Sequence, residues 1–317
     1  TPRTLFPYTT LFRSSMAIFS LAIYYIVNKL SGGLSINLNT KIIKEVFVFS
    51  IPMGIASIIG SINIQLDQLI ISSLFSTEEY AIFSIASKEI PITIIATSIT
   101  AILLPKVVKL LKYDKKYEVL TIWGSATTLS YIFICFCVTG LVIFAPEVIT
   151  LFYSDKYIAG VNVFRIYSLV LLLRCTYFGM ILNAKGKTKF ILYSSLLALI
   201  LNVILNIILC NIFGFIGPAI ATFISQAVIN LIQLIFTAKL LKTKLKHIFP
   251  WKNIFYITCI NIFIASFFII IKNILLLDRF IGNILEAVFI GLIGLFIYIL
   301  ILRKKITTQW YELNKGE

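Results

Sequence analysis

The chain has little charge, and what it has is uneven. Only 13% of its 317 residues are charged, with 28 Lys and Arg against 13 Asp and Glu. A soluble domain carries about 25% charged residues. It contains a single histidine, His247, which sits among lysines. One such histidine supplies neither a multi-histidine metal site nor the base of a catalytic triad. The five cysteines, Cys135, Cys137, Cys175, Cys210 and Cys259, show no metal-ligand spacing. Cys135 and Cys137 are two residues apart, so on a helix they diverge by about 200°. They read as small, reduced, apolar residues. No glycine-rich loop is followed by Lys-Ser or Lys-Thr, so nothing suggests a bound nucleotide. No enzyme signature and no cofactor site are read. Strict apolar–polar alternation, the mark of a membrane β-barrel, is also missing from runs such as Ile254–Ile271 and Ile281–Leu302.

What is present is apolar sequence, 59% of the chain, at a mean hydropathy of +0.99. It falls in runs near the ~20 residues a helix needs to cross a bilayer. The fold class expected is all-α, a polytopic membrane bundle of about nine transmembrane helices. The expected spans are Met16–Leu30, Ile42–Leu74, Tyr80–Leu104, Thr121–Ala145, Gly160–Asn183, Phe190–Phe213, Phe215–Leu240, Asn253–Lys272 and Phe280–Leu302. Residue 1 is Thr, and the stretch Thr1–Ser14, TPRTLFPYTTLFRS, resembles a translated sequencing adaptor. Residues 1–15 are therefore set aside as an artefact, and the rest is expected to be the C-terminal part of a longer protein.

Loop charge orients the spans. Lys29, Lys41 and Lys44 fall between the first two helices, and the next connection, near Phe75–Glu79, holds no cation. The alternation continues. Lys106, Lys109, Lys112, Lys115 and Lys116 form one cluster, Lys185, Lys187 and Lys189 another, and Lys239, Lys242, Lys244, Lys246 and Lys252 a third. Between these clusters lie Pro146–Ala159, Gly214–Pro218 and a connection holding Lys272, Asp278 and Arg279, all poor in net positive charge. Arg303, Lys304, Lys305 and Lys315 close the pattern in a tail over residues 303–317. By the positive-inside bias the C-terminus is cytoplasmic. The net charge of +15 then follows from this bias and from contact with anionic membrane lipids, with no nucleic-acid partner needed.

Charges inside a membrane are costly and so mark function or a named partner. Asp67, Lys88, Glu89, Arg165, Arg174 and Glu286 fall within the expected spans. Asp67 and Lys88 lie on antiparallel neighbours, both about 12–14 Å below the connecting loop. They are expected to meet, either as a buried ion pair that fixes packing or as a cavity pair that switches partners, with Glu89 close by. Arg165 and Arg174, nine residues apart, point to opposite faces of one continuous helix. Arg165 lies near the interface, where its side chain can snorkel. Arg174 is deeper and suits either an anionic phosphate ligand or a structural role. Thr222, Gln226, Asn230, Gln233 and Thr237 form a polar stripe on one helix face, which bonds a neighbour or lines a wet cavity. Asn63 with Asp67, and Asn202 with Asn206, make shorter stripes. Pro52, Gly54, Gly60 and Pro91 are bend points, and Pro105 is expected to end the third helix.

The stretch FSIPMGIASIIGSINIQLDQLIISSLFSTEEYAIFSIASKEI resembles the helix pair that opens the C-terminal lobe of bacterial oligosaccharide flippases. Its marks are Asp67, the apolar run Leu69–Leu74, and Glu79-Tyr80-Ala81 leading to Phe83, Ala86 and Lys88. NAKGKTKF at Asn183–Phe190 and FGFIGPAIATFISQ at Phe213–Gln226 are similar to later pieces of the same proteins, which belong to the multidrug/oligosaccharidyl-lipid/polysaccharide exporter superfamily. The resemblance covers about residues 16–305. It implies two lobes. Residues 16–30 would be the last helix of the N-terminal lobe, 42–240 a six-helix C-terminal lobe, and 253–302 two further helices. It also implies that the full protein flips an undecaprenyl-diphosphate-linked oligosaccharide, of O-antigen or capsule type, across the bacterial cytoplasmic membrane by alternating access. The cavity residues would then be drawn from Arg174, Lys88, Asp67, Glu89, Arg165, Gln226 and Asn230, with Na+ or H+ as a coupling ion. A cation-coupled drug antiporter and a peptidoglycan-precursor flippase share this outline. A membrane polysaccharide polymerase fits less well, because the outer connections are short.

Overall fold

The computed structural model describes residues 6–30, 39–88, 90–275 and 283–314. Glu89, the 276–282 connection with Asp278 and Arg279, and the extreme ends therefore lie outside the described residues. The rest is helical, with no strand among the described residues. Among the described residues, four stretches are long and apolar enough to cross a membrane: Thr40–Leu74, Thr77–Lys112, Lys116–Ile143 and Thr188–Leu241. Ile18–Leu30 and Trp251–Phe267 are shorter apolar helices.

The chain divides into two units, Thr1–Val48 and Phe49–Glu317. The first holds α1, Phe6–Leu30, and the opening turns of α2, Thr40–Leu74. The second holds the remainder of α2 and all later helices. Its centre is α5, Lys116–Ile143, against which pack α4 (Ile94–Lys112), α7 (Val161–Leu172), α12 (Trp251–Leu275) and α13 (Asn283–Asn314). Trp123, Ile134 and Val138 of α5 are fully buried there. Lipid is as apolar as leucine, so helix association in a bilayer relies on close packing and interhelical hydrogen bonds. Both occur around α5. Asn261 of α12 donates to the Tyr298 hydroxyl of α13 at 2.9 Å, and that hydroxyl donates to the Ile132 carbonyl at 2.9 Å. Gly160 lets the Asp155–Gly160 turn seat against α3, Thr77–Ala86, because a Cβ there would come 2.7 Å from the Ala86 Cβ.

Two expected helices are interrupted. The third begins at a capping box in which Ser76 and Glu79 bond each other reciprocally, and α3 then stops at Ala86. Ile90 is extended, and Pro91 opens a short 3-10 turn before α4. A proline supplies no N–H and pushes its predecessor out of the helical region, so the apolar run cannot stay one helix. Pro105, by contrast, does not end its helix. α4 runs through it to Lys112. The fifth expected helix also breaks: α7 ends at Leu172, and the backbone turns irregularly from Leu173 to Gly179 before α8, Met180–Ala184. Side chains from other helices satisfy the interruption. Asn230 donates to the Leu173 carbonyl at 2.6 Å, and the Trp123 indole donates to the Thr176 hydroxyl at 3.0 Å.

α9, Thr188–Phe213, and α10, Gly217–Leu241, form a tight hairpin. Gly214 turns with φ +55°, and a Cβ on Gly217 would lie 2.3 Å from the Leu209 carbonyl oxygen, so neither position accepts a larger side chain. The last helix does not stop at Leu302. α13 continues unbroken to Asn314 and its end bonds the bundle, with Ser125 donating to Glu312 at 3.0 Å and Lys106 donating to the Leu313 carbonyl at 3.5 Å. The tail is therefore a docked helix over its described residues.

Candidate functional site: an arginine between two polar cavities

Arg174 sits within the Leu173–Gly179 interruption rather than on a helix, so the opposite-face relation expected between it and Arg165 does not hold. Its side chain lines two cavities. The larger, about 490 Å³, is walled by Thr93, Thr97 and Thr100 across from Gln226, Asn230 and Gln233. The smaller, about 250 Å³, is walled by Gly60 and Asn63 of α2, Ser195 of α9, and Ser225 and Gln226 of α10. Arg174 and Gln226 border both. The Asn63 side-chain oxygen is buried with no hydrogen-bond partner among the described residues. The setting is a planar cation ringed by hydroxyls and carboxamides. A guanidinium grips phosphate oxygens in pairs and keeps its charge, and the surrounding groups both donate and accept.

The polar stripe of α10 does both jobs the sequence left open. Gln226 donates to Asn230 at 3.0 Å, and Asn230 in turn holds the Leu173 carbonyl beside Arg174. Gln233 donates to Ser194 of α9 at 3.2 Å. The stripe therefore fastens the interruption from one side and faces the cavity with the other.

Asp67 is 1% exposed, and its partners are not the expected ones. The Tyr167 and Thr222 hydroxyls both donate to one carboxylate oxygen, and Asn206 donates to the other at 3.0 Å. Asn202 donates to Thr222 and Ser225, extending the network between α9 and α10. The Asn206 side-chain oxygen is itself buried without a hydrogen-bond partner. Lys88 does not approach Asp67. It is exposed in the α3–α4 interruption, with its nitrogen 5.8 Å from the centroid of the Tyr153 ring. The expected ion pair is thus replaced by a carboxylate surrounded by neutral donors. The depth argument placed both residues at one level, but the chain leaves the helix before Lys88 and carries it away.

Arg165 stays on α7 and caps a neighbouring helix end. Its Nε donates to the Val142 carbonyl at 3.1 Å and its terminal nitrogen to Asn162 at 3.3 Å. It lines neither Arg174 cavity. Glu286 falls within α13. Tyr167 is the functional-site residue the sequence did not single out. It lies 100 residues from Asp67 with no local signal to join them. Among the described residues, no group of three or more His, Cys, Asp or Glu side chains could hold a metal ion.

Comparison with known proteins agrees with this architecture. The family profile described as "Polysaccharide biosynthesis protein" matches residues 9–162. The capsular polysaccharide biosynthesis protein CapF of Staphylococcus aureus is 29% identical over 225 residues, covering 69% of this chain and 57% of that protein. Among solved structures, the lipid II flippase MurJ in an inward closed conformation has the same fold at a TM-score of 0.64. It is 20% identical, with 90% of this chain and 60% of that one covered. The chain thus spans under two thirds of the length of either relative. Interrupted helices, a buried carboxylate and an arginine-centred polar cavity sit in a bundle of that fold, and over residues 9–162 the chain is similar to polysaccharide biosynthesis proteins.

Proposed function

We propose that the full-length protein carries a lipid-linked oligosaccharide across the bacterial cytoplasmic membrane, acting as a transporter and not as an enzyme. The observation that carries this reading is Arg174, set between two cavities whose polar walls are Thr, Ser, Asn and Gln. A diphosphate needs a cation inside a region of low dielectric, and sugars need hydroxyl and amide partners. An arginine cavity also disfavours the cationic substrates of a drug antiporter. The preceding lobe supplies the opposite wall, and the two lobes alternate access. A capsule-type repeat unit is the substrate favoured, because the staphylococcal relative bears a capsular polysaccharide name. Asp67 is the place for a coupling ion, H+ or Na+. Its carboxylate is buried among neutral groups, and the unpartnered Asn206 oxygen lies in the same network. The fold of a lipid II flippase favours a second reading, transport of the peptidoglycan precursor.

Complementation separates the two readings. The full-length gene is expected to restore surface polysaccharide in a strain lacking its capsule-unit flippase, and not to rescue depletion of the lipid II flippase. The opposite outcome gives the second reading, and failure of both overturns transport of lipid-linked sugars. In this reading the C-terminus is cytoplasmic. In a background with the exposed Cys259 replaced, an impermeant thiol reagent applied to cells is expected to label Thr77→Cys and spare Lys187→Cys. The reverse pattern overturns the orientation.

A further inference from the structure

A further cavity lies elsewhere, at the end of the bundle where α5 begins. It measures about 1020 Å³ and shares no lining residue with the Arg174 cavities. The first turns of α5, the segment around α11 (Leu245–Ile248), the start of α12 and the last turns of α13 enclose it. Lys116, Lys244, His247 and Lys305 line it from these separate elements. Lys116 bonds Asp114 at 3.3 Å, whereas Lys244 and Lys305 have no carboxylate partner among the described residues. Glu312 is the one acid in the lining, and it is occupied by the neutral donors Ser125, at 3.0 Å, and Gln309, at 3.5 Å.

Two further features favour an anion. The Thr243 hydroxyl is buried in the wall with no hydrogen-bond partner. No side chain caps the start of α5, where the Lys116 N–H bonds the Asp114 carbonyl at 2.9 Å, and the helix dipole adds partial positive charge. The cavity therefore gathers basic side chains from three chain segments, a spare hydroxyl and an uncapped helix start around a space of ligand size. Basic pockets between membrane helices take phosphorylated headgroups by this chemistry.

We propose that this cavity binds a phosphoryl anion at a site separate from the transport cavity. The phosphoryl group belongs either to an anionic lipid headgroup or to a soluble phosphate compound. Its place between the lobe helices and α12–α13 makes the ligand a brace between them: the bound anion ties Lys244, ahead of α12, to Lys305 of α13.

The test uses the full-length protein purified and delipidated. Phosphatidylglycerol is titrated against phosphatidylcholine by native mass spectrometry, and inorganic pyrophosphate is titrated by calorimetry. Saturable binding is expected in one of the two anionic arms. Phosphatidylglycerol alone identifies a headgroup, and pyrophosphate alone a soluble ligand. The double variant Lys244→Gln/Lys305→Gln is expected to weaken that binding at least about fivefold, in line with the loss of charged hydrogen bonds. Lys187→Gln/Lys189→Gln, which removes equal charge elsewhere, is expected to leave it unchanged. Glu312→Gln is expected to tighten it, a gain that misfolding cannot imitate. Absence of binding in both arms overturns the proposal. Equal weakening by the two lysine pairs, or no tightening by Glu312→Gln, does so as well.

Discussion

Arg174→Ala in the full-length protein is expected to reduce transport at least about tenfold while leaving its level in the membrane unchanged, since hydrogen bonds to charged groups contribute ~1.5–3 kcal/mol. Other groups also hold the backbone of the interruption. The Leu173 carbonyl is bonded by Asn230, Thr176 by Trp123 and Thr127, and the Arg174 backbone N–H by the Leu171 carbonyl. Arg174→Lys is expected to keep partial activity, because it retains the charge and loses the paired geometry. Arg165 gives the contrast. It bonds the end of α5 and lines neither cavity, so Arg165→Ala is expected to lower stability more than transport. The measurement is surface polysaccharide per unit of membrane-inserted protein in a flippase-deficient strain. Full complementation by Arg174→Ala ends the assignment.

Asp67 carries the largest expected effect on stability. Asp67→Ala removes the acceptor of Tyr167, Thr222 and Asn206 together, leaving the Asn206 amide with Asn202 alone. The expected cost is about 2–4 kcal/mol, below the sum of three buried losses because hydrogen bonds in bilayers find substitutes. Asp67→Asn keeps the volume and one acceptor oxygen. It is expected to fold with a smaller loss and to remove the dependence of transport on the coupling ion. Unfolding of the purified variants in lipid nanodiscs reads the first effect, and transport across a series of Na+ and pH conditions reads the second. An unchanged unfolding transition in Asp67→Ala would falsify the network as a structural element. Unaltered ion dependence in Asp67→Asn removes the coupling role.

Apolar length made the uninterrupted helices legible. The ends of α2, α9 and α12 fall within a few residues of their expected positions, because a bilayer sets both length and composition. The interruptions were hidden for the same reason. Hydropathy records residence in lipid or protein interior, and an interrupted helix satisfied by Asn230 and Trp123 is as apolar along the chain as a continuous one. Pro91 gave a local sign of the first break. The second had only the polar run Arg174-Cys175-Thr176 and Gly179 to mark it. Periodicity then failed for Arg165 and Arg174, since angular arithmetic assumes an unbroken helix. Asp67 was recognisable as an embedded charge, but its partners come from α7, α9 and α10, and depth along one helix pair contains no information about them. The docked end of α13 was read as a charged tail because Arg303, Lys304 and Lys305 precede it.

The bond from Trp123 to Thr176 gives the chain an optical property as well as a fastened turn. Of the three tryptophans in this sequence, Trp251 and Trp310 are 41% and 58% exposed, whereas Trp123 is fully buried with its indole bonded to Thr176, two residues after Arg174. With Trp251, Trp310 and any tryptophan of the preceding lobe replaced by Phe, the remaining emission comes from one indole whose polarity is set by the turn that carries the arginine. Substrate that shifts this turn changes the emission directly, so intrinsic fluorescence reports occupancy of the cavity in the native lipid without an added dye.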